Sequence, residues 1–451
     1  MAILALVSIW HAPLPFPEEA RHALAIAVFM VILWITEAVP NFAAGLVGCW
    51  LFWALGVVPS RTAFSGFSSE APWFLIGALY LGLMVTETGL ARRLAFAILS
   101  SVGVRYSRIL LGLILTSFLM TFLIPSGPPR VILLGTIALG IAASFGLDAK
   151  SNVARGLILA ITFAATQFDR TIIGSTPIIL ARSLIQEHGQ VTVYWTQWFA
   201  AFFPFNLFNV ILMWILITRW YPPEKTELAG GREYLRHERA ALGPWTSREI
   251  RAAVLTILVV GFWATDFLHH ISPAVIGFGA GLAASLPAFG ILRAEDSRKI
   301  SYSTFLFMGT AIAMGDALRE TGALEILSSG LFRFMASHMD NLFHSTAMLY
   351  WGAFATHLIL PSSTAMIATS MPLIMSFAVQ NQLNPLELGM LWSFGTGGKL
   401  FVYQSLVMIT GYSFGAFTGR DVFRMGLTFA IAEFLLLLGV VSLYWPLIGI
   451  R

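Results

Sequence analysis

Charge is what this chain has least of. Charged residues fill 11% of its 451 positions, where a soluble domain carries roughly 25%. Too little polar surface remains to hold a protein of this length in water. Cysteine is nearly missing as well. The single Cys49 excludes an internal disulfide framework and a cysteine-based metal site. There is no phosphate-cradling Walker loop, no His-Glu-x-x-His pair and no Gly-x-Ser-x-Gly elbow, which excludes an ATPase motor within the chain. The nine histidines show no metal-ligand spacing.

What the chain has is apolar length. Hydrophobic residues make up 57% of it, in blocks such as Ala23–Ile35, Leu110–Leu123, Val254–Ala264 and Leu427–Tyr444. Many approach or exceed the ~20 residues that cross a bilayer as a helix. The runs are continuous rather than alternating, so a β-barrel is excluded. The net charge of +4 is spread over loops and reads as orientation charge, with no nucleic-acid partner implied. Met1–Trp10 lacks a basic leading region and reads as a short first helix rather than a signal peptide.

Cutting at Gly, Pro and charge clusters places spans near 1–12, 21–38, 40–57 and 70–98. A pair at 107–124 and 129–145 follows, then a broken span over 153–188 and a long one over 196–219. A polar segment, 220–248, is the linker. The second half runs 249–268, 272–292 and 303–328, then a pair at 343–360 and 365–380. A broken span over 387–415 and a last helix over 422–446 complete it. First half 1–219, linker 220–248 and second half 249–451 are the domain reading, with scaffold helices at 1–98 and 249–328.

Each pair is interrupted by a polar tip, Pro125-Ser126-Gly127-Pro128-Pro129 and Pro361-Ser362-Ser363-Thr364. Backbone freed at such a tip cannot face lipid, so each tip must sit in protein or line an aqueous cavity; the pairs (107–145 and 343–380) read as re-entrant hairpins. A Glu-Thr-Gly sequence also occurs twice, at Glu87 and Glu320, 233 positions apart, while the tips lie 236 apart. That spacing suggests a structural repeat, with substrate expected between its discontinuous helices. With the N-terminus inside, 18 basic residues fall on the cytoplasmic side and 4 on the other. The linker is then cytoplasmic and the C-terminus faces outward.

Trp34-Ile-Thr-Glu-Ala-Val-Pro40, Ala63-Phe-Ser-Gly-Phe67, Glu87-Thr-Gly-Leu90, the two tips, Gly174-Ser-Thr-Pro177 and Gly411-Tyr412 occur in order along the chain. As a set they resemble the divalent anion/sodium symporter family of di- and tricarboxylate carriers. The resemblance implies an all-α polytopic membrane protein, an inverted-repeat transporter with about eleven transmembrane helices, two re-entrant hairpins and two broken helices. It also implies a homodimer held by the scaffold and a transport part moving as an elevator. This chain departs from the family at the tips. The family's Ser-Asn-Thr is replaced by Ser126-Gly127-Pro128 and Ser362-Ser363-Thr364. Its Thr-Pro-Pro-Asn becomes Ser175-Thr176-Pro177-Ile178 and, more loosely, Phe401-Val402-Tyr403-Gln404. Sodium is therefore doubtful, with at most degenerate sites at Ser126 and Ser363, and no other cofactor is called for.

Five cations fall inside apolar elements: Arg130, Arg170, Arg182, Arg319 and Lys399. A charge at the bilayer centre needs a partner or water. Arg130, Arg170 and Lys399 lie beside a tip or a break and are expected to converge on an anion. Arg supplies a planar fork for carboxylate, sulfonate or phosphate, and Lys a point charge. Ser126, Gly127, Ser175, Thr176, Ser362, Ser363, Thr364, Tyr403 and Gln404 are the expected neutral contacts, with Phe168 and Phe401 excluding water. Asp169 or Asp316 is the expected charge partner of Arg170. Arg182 and Arg319 are expected to snorkel or pair locally.

The reading is a secondary transporter of a small multivalent anion (carboxylate, sulfonate, sulfate or phosphate) in a cell's inner membrane, N-terminus cytoplasmic. Sodium-independent exchange or facilitated transport is expected. Sodium- or proton-coupled symport is the first alternative, and a membrane enzyme or lipid-handling protein gripping a phosphorylated head group is the second.

Overall fold

The computed structural model describes residues 1 to 450 apart from 172–173, 227–230, 329–340 and 361. Among the described residues every regular element is helical. In the first half α1 is Ala2–His11, α2 Glu18–Thr36, α3 Asn41–Ala54, α4 Glu70–Glu87 and α5 Leu90–Val102. Then come α6 Tyr106–Met120, α7 Gly127–Ser144, α8 Asn152–Gln167, α9 Thr176–Gly189 and α10 Trp195–Trp220. Helix α11, Gly231–Ala241, lies within the linker. The second half has α12 Ser247–Ala264, α13 Pro273–Ser285, α14 Tyr302–Glu320, α15 Leu342–Ile359 and α16 Ser363–Gln380. It ends with α17 Pro385–Gly395, α18 Leu406–Ser413 and α19 Gly419–Gly439.

Three features differ from the sequence expectation. The span over 70–98 is bent by 63° between α4 and α5, because Gly89 takes a left-handed φ of 82° that glycine alone adopts without steric cost. The polar linker is not all loop: α11 docks on α5 and α7, with Arg92 paired to Glu238. Finally, among the described residues five helices are long and apolar enough to cross a bilayer, six if the bent pair counts as one span. The second arms of both tip-bearing pairs, α7 and α16, are among them. The remaining helices are shorter or less apolar than these, so length and apolarity alone do not reach eleven.

Both Glu-Thr-Gly copies perform the same local task. Glu87 and Glu320 end α4 and α14, and Gly89 and Gly322 follow with φ of 82° and 71°. A left-handed glycine is the common way to end a helix.

Helix α4 packs along α13, and α3 along α14. The α4–α13 approach depends on glycine, since a Cβ at Gly77 would collide with the Gly277 backbone. A second group packs α8 against α6, α7 and α10, and α16 against α9 and α17. Large apolar side chains point outward, including Trp50 and Trp53 on α3, Ile257 and Leu258 on α12, and Leu435 on α19. Such a surface suits lipid as solvent rather than water.

Candidate functional site

Four helices begin at one place, and each has a serine at its N-cap: Ser126 for α7, Ser175 for α9, Ser362 for α16 and Ser405 for α18. Serine suits the post, because its extended backbone turns the chain and its hydroxyl can accept from the first turn. Ser362 Oγ accepts from Ala365 N at 3.3 Å and Ser405 Oγ from Val407 N at 3.2 Å. Among these starts lies a cavity of about 500 Å³, within the size range of small-ligand sites.

The first tip gives this cavity Pro125, Ser126, Gly127 and Pro128, and the first break gives Asp169, Ser175, Thr176 and Pro177. Ser362, Ser363 and Thr364 come from the second tip, and Tyr403, Gln404 and Ser405 from the second break. Glu37, Asn41 and Phe42 from the α2–α3 turn, and Ser303, Thr304 and Phe307 from the start of α14, complete the lining. Pro361 lies outside the described residues. The two tips are not equivalent. Pro128 and Pro129 remove backbone donors from the first turn of α7, whereas Ser363 and Thr364 keep theirs at α16. An anion is better served at the second tip.

Ser126, Gly127, Ser175, Thr176, Ser362, Ser363, Thr364, Tyr403 and Gln404 thus line one cavity. The three expected cations do not line it; they stand behind it. Arg130 is fully buried and donates to Asp169 Oδ1 at 2.5 Å, to Gly174 O at 3.1 Å and to the Thr121 hydroxyl. Arg170 donates to both carboxylate oxygens of Glu433, at 2.7 and 2.9 Å, and its guanidinium sits 3.9 Å from the Phe394 ring centroid. Neither Asp169 nor Asp316 partners Arg170. Asp169 is held by Arg130, and Asp316 pairs with Arg319 at 2.7 Å.

Lys399 is different. Its ammonium donates to His357 Nε2, to Ser363 Oγ at 2.8 Å and to the Thr396 carbonyl, all neutral acceptors. His357 Nδ1 lies 2.9 Å from the Leu360 carbonyl. A carbonyl only accepts, so Nδ1 carries the proton and Nε2 offers its lone pair to Lys399. The charge therefore sits one hydroxyl behind the cavity wall.

Other expectations need correction. Arg182 does not snorkel: it is buried and donates from Nε to Val193 O at 3.1 Å, which the loop after α9 brings within reach. Phe168 is packed on Phe118, away from the cavity, while Phe401 stacks on Tyr403 at 5.6 Å. Reading the sequence missed Glu433, although it is the one charge within Leu427–Tyr444 and such a carboxylate demands a cation. It missed His357, four residues before the second tip. Glu37, at the turn between α2 and α3, also lines the cavity, with a left-handed φ of 49°.

Helices of this length and apolarity, broken around a polar cavity, define a multi-pass membrane protein. From residue 1 to 451 the chain matches the family described as the sodium:sulfate symporter transmembrane region, and it belongs to that family. It is 26% identical to a membrane protein of Cupriavidus necator, over 99% of this chain and 92% of that one. It is 24% identical to the chloroplastic dicarboxylate transporter 1 of Spinacia oleracea, over 100% and 81%. The citrate/succinate antiporter of Escherichia coli K12 is 22% identical, over 100% and 96%. Among solved structures, the YdaH transporter of Alcanivorax borkumensis aligns with a TM-score of 0.57 at 14% identity, covering 96% of this chain and 100% of that one. MtrF of Neisseria gonorrhoeae gives 0.55 at 12%, covering 98% and 97%. Both share the fold.

Proposed function

We propose that this chain is a secondary transporter of a small anion, working as a sodium-independent exchanger by an elevator motion. One observation carries the reading: four serine-headed helix starts face one cavity, with the Lys399 ammonium directly behind Ser363. Helix N-termini present donors and positive partial charge, and they release an anion more readily than a fixed ion pair does. Ser362, Ser363 and Thr364 hold the anionic head. Ser126, Gly127, Ser175, Thr176, Tyr403 and Gln404 shape the rest of the site, and Arg130 and Arg170 brace it from behind through their ion pairs. Lys399 takes the part that sodium plays in carriers with asparagine at the tips, leaving Ser126 and Ser363 as at most vestigial sodium ligands.

The wider reading follows the family. Helices of 1–98 and 249–328 form a scaffold that dimerises, and the tips, broken helices and α19 move together. The halves form an inverted repeat with about eleven crossings, placed in an inner membrane with a cytoplasmic N-terminus. The antiporter and dicarboxylate names among the relatives support anion exchange. A buried cation favours it on physical grounds, because an empty site would carry an unpaired charge across at a cost of several kcal/mol. Proteoliposomes loaded with or without internal anion, in sodium or in potassium, test it. Uptake should need internal anion and ignore sodium; uptake that requires sodium and proceeds from empty vesicles would reject it.

A further inference from the structure

Resting on that reading, we infer that the cavity is balanced for one negative charge, so its ligand is a small organic monoanion carrying a hydrogen-bond donor. The sequence pointed to a multivalent anion; the pairing of the buried charges argues otherwise. Arg170 is neutralised by Glu433, and Asn209 adds a third hydrogen bond to that carboxylate at 2.8 Å. Arg130 is neutralised by Asp169. Only Lys399 gives all its donors to neutral acceptors, and it forms no ion pair among the described residues. Arg130, Arg170 and Lys399 set against Asp169 and Glu433 leave one positive charge over, at the Lys399 end of the site.

The remaining wall opposes a second negative charge. Asp169 and Glu37 both line the cavity, so two carboxylates already face any ligand in it. A dianion whose head sits at the second tip would bring its other carboxylate towards one of these. To recruit Arg130 it would have to strip Asp169 of its partner and leave that carboxylate unpaired. Asp169 instead offers a place for a donor. Its Oδ1 takes the Arg130 hydrogen bond, and Oδ2 has no donor among the described residues. A hydroxyl or ammonium on the ligand would satisfy it. The ligand class is thus a carboxylate or sulfonate head at Ser363 with a hydroxyl or amino group towards Asp169.

The test uses the full chain in proteoliposomes and two matched pairs of probes: lactate against malate, and isethionate against sulfoacetate. From lactate to malate the head and hydroxyl are kept and a second carboxylate is added; from isethionate to sulfoacetate the sulfonate head is kept and the hydroxymethyl group is replaced by a carboxylate. In sodium-free buffer the monoanion should be taken up at least about tenfold faster than its dianion in a pair that is transported, and propanoate, without the hydroxyl, should be slower than lactate. Asp169→Asn frees Arg130 and raises the site charge by one, so the lactate-to-malate ratio should fall at least about tenfold. Should that variant fail to fold, the wild-type ratios decide alone. Dianion uptake equal to or faster than monoanion uptake, with or without sodium, overturns the charge balance and leaves anion transport standing. A folded Asp169→Asn with an unchanged ratio also overturns it. No uptake of either member of either pair overturns both readings.

Discussion

Arg170, in the first helix break, closes a two-pronged ion pair with Glu433 near the middle of α19, at 2.7 and 2.9 Å. Both side chains are buried, at 3% and 0% exposure. The pair joins two segments 263 residues apart and caps the floor of the site with a neutral unit. Removing one partner would strand the other charge, at a cost of about 3–5 kcal/mol. Glu433→Gln should therefore sharply lower the melting temperature in detergent. Arg170→Met with Glu433→Leu should recover most of the loss. A double variant as unstable as the single one would show that the pair is not the cause.

Lys399→Gln should abolish stabilisation by anions, read as the disappearance of the ligand-induced melting shift. Lys399→Arg should not restore it, because three acceptors ranged around an ammonium do not match a planar fork. Full anion response in the arginine variant would contradict the geometry.

Gly426 lies on α19 against the carbonyl of Lys399, and a Cβ there would meet that backbone. Gly426→Ala should cost about 1–3 kcal/mol and weaken anion binding by displacing Lys399. Gly261→Ala, where a Cβ meets nothing within 4 Å, should be neutral or stabilise by up to about 1 kcal/mol. Equal melting temperatures for the two variants would refute the packing argument.

Topology can be read with cysteines at Arg236 on α11 and Leu447 near the C-terminus, since the one native cysteine, Cys49, is buried. A membrane-impermeant maleimide should label the two positions from opposite faces of the membrane. Labelling from one face would reject an odd number of crossings between the linker and the C-terminus, and with it the orientation drawn from the charge asymmetry. The terminal Arg451 and Gly230, natural reporter sites, lie outside the described residues.

In the loop before α14, Asp296 accepts from Arg293 N at 2.9 Å and from Lys299 at 3.4 Å, with Arg248 at 3.6 Å. The Arg293 hydrogen bond and these cations hold its carboxyl below the usual carboxylate range. A depressed carboxylate stabilises the fold above its unfolded pKa and loses that contribution as pH falls through the folded value. Asp296→Asn should lower the melting temperature at neutral pH, and the difference should begin to shrink at about pH 4 and vanish only below the depressed folded value. A gap that persists in acid would contradict this.

How much of this was legible beforehand depends on range. Class, helical content and most helix positions follow from local apolar runs and their Pro and Gly interruptions, because a bilayer demands long apolar helices with every backbone group paired. The tips and breaks were legible for the same reason: Ser126, Ser175 and Ser362 are helix caps, and caps are written in neighbouring residues. Arg130, Arg170 and Lys399 were legible as charges that needed company.

Which company each kept was not legible. Glu433 lies 263 residues from Arg170, His357 lies 42 from Lys399, and Glu37 meets the tips only where α2 and α3 turn against them. A sequence states that a buried charge must be compensated, since the energetic penalty is local. Tertiary packing alone selects the partner. It paired both arginines with carboxylates and left Lys399 with neutral acceptors, and that choice sets the charge the cavity can take.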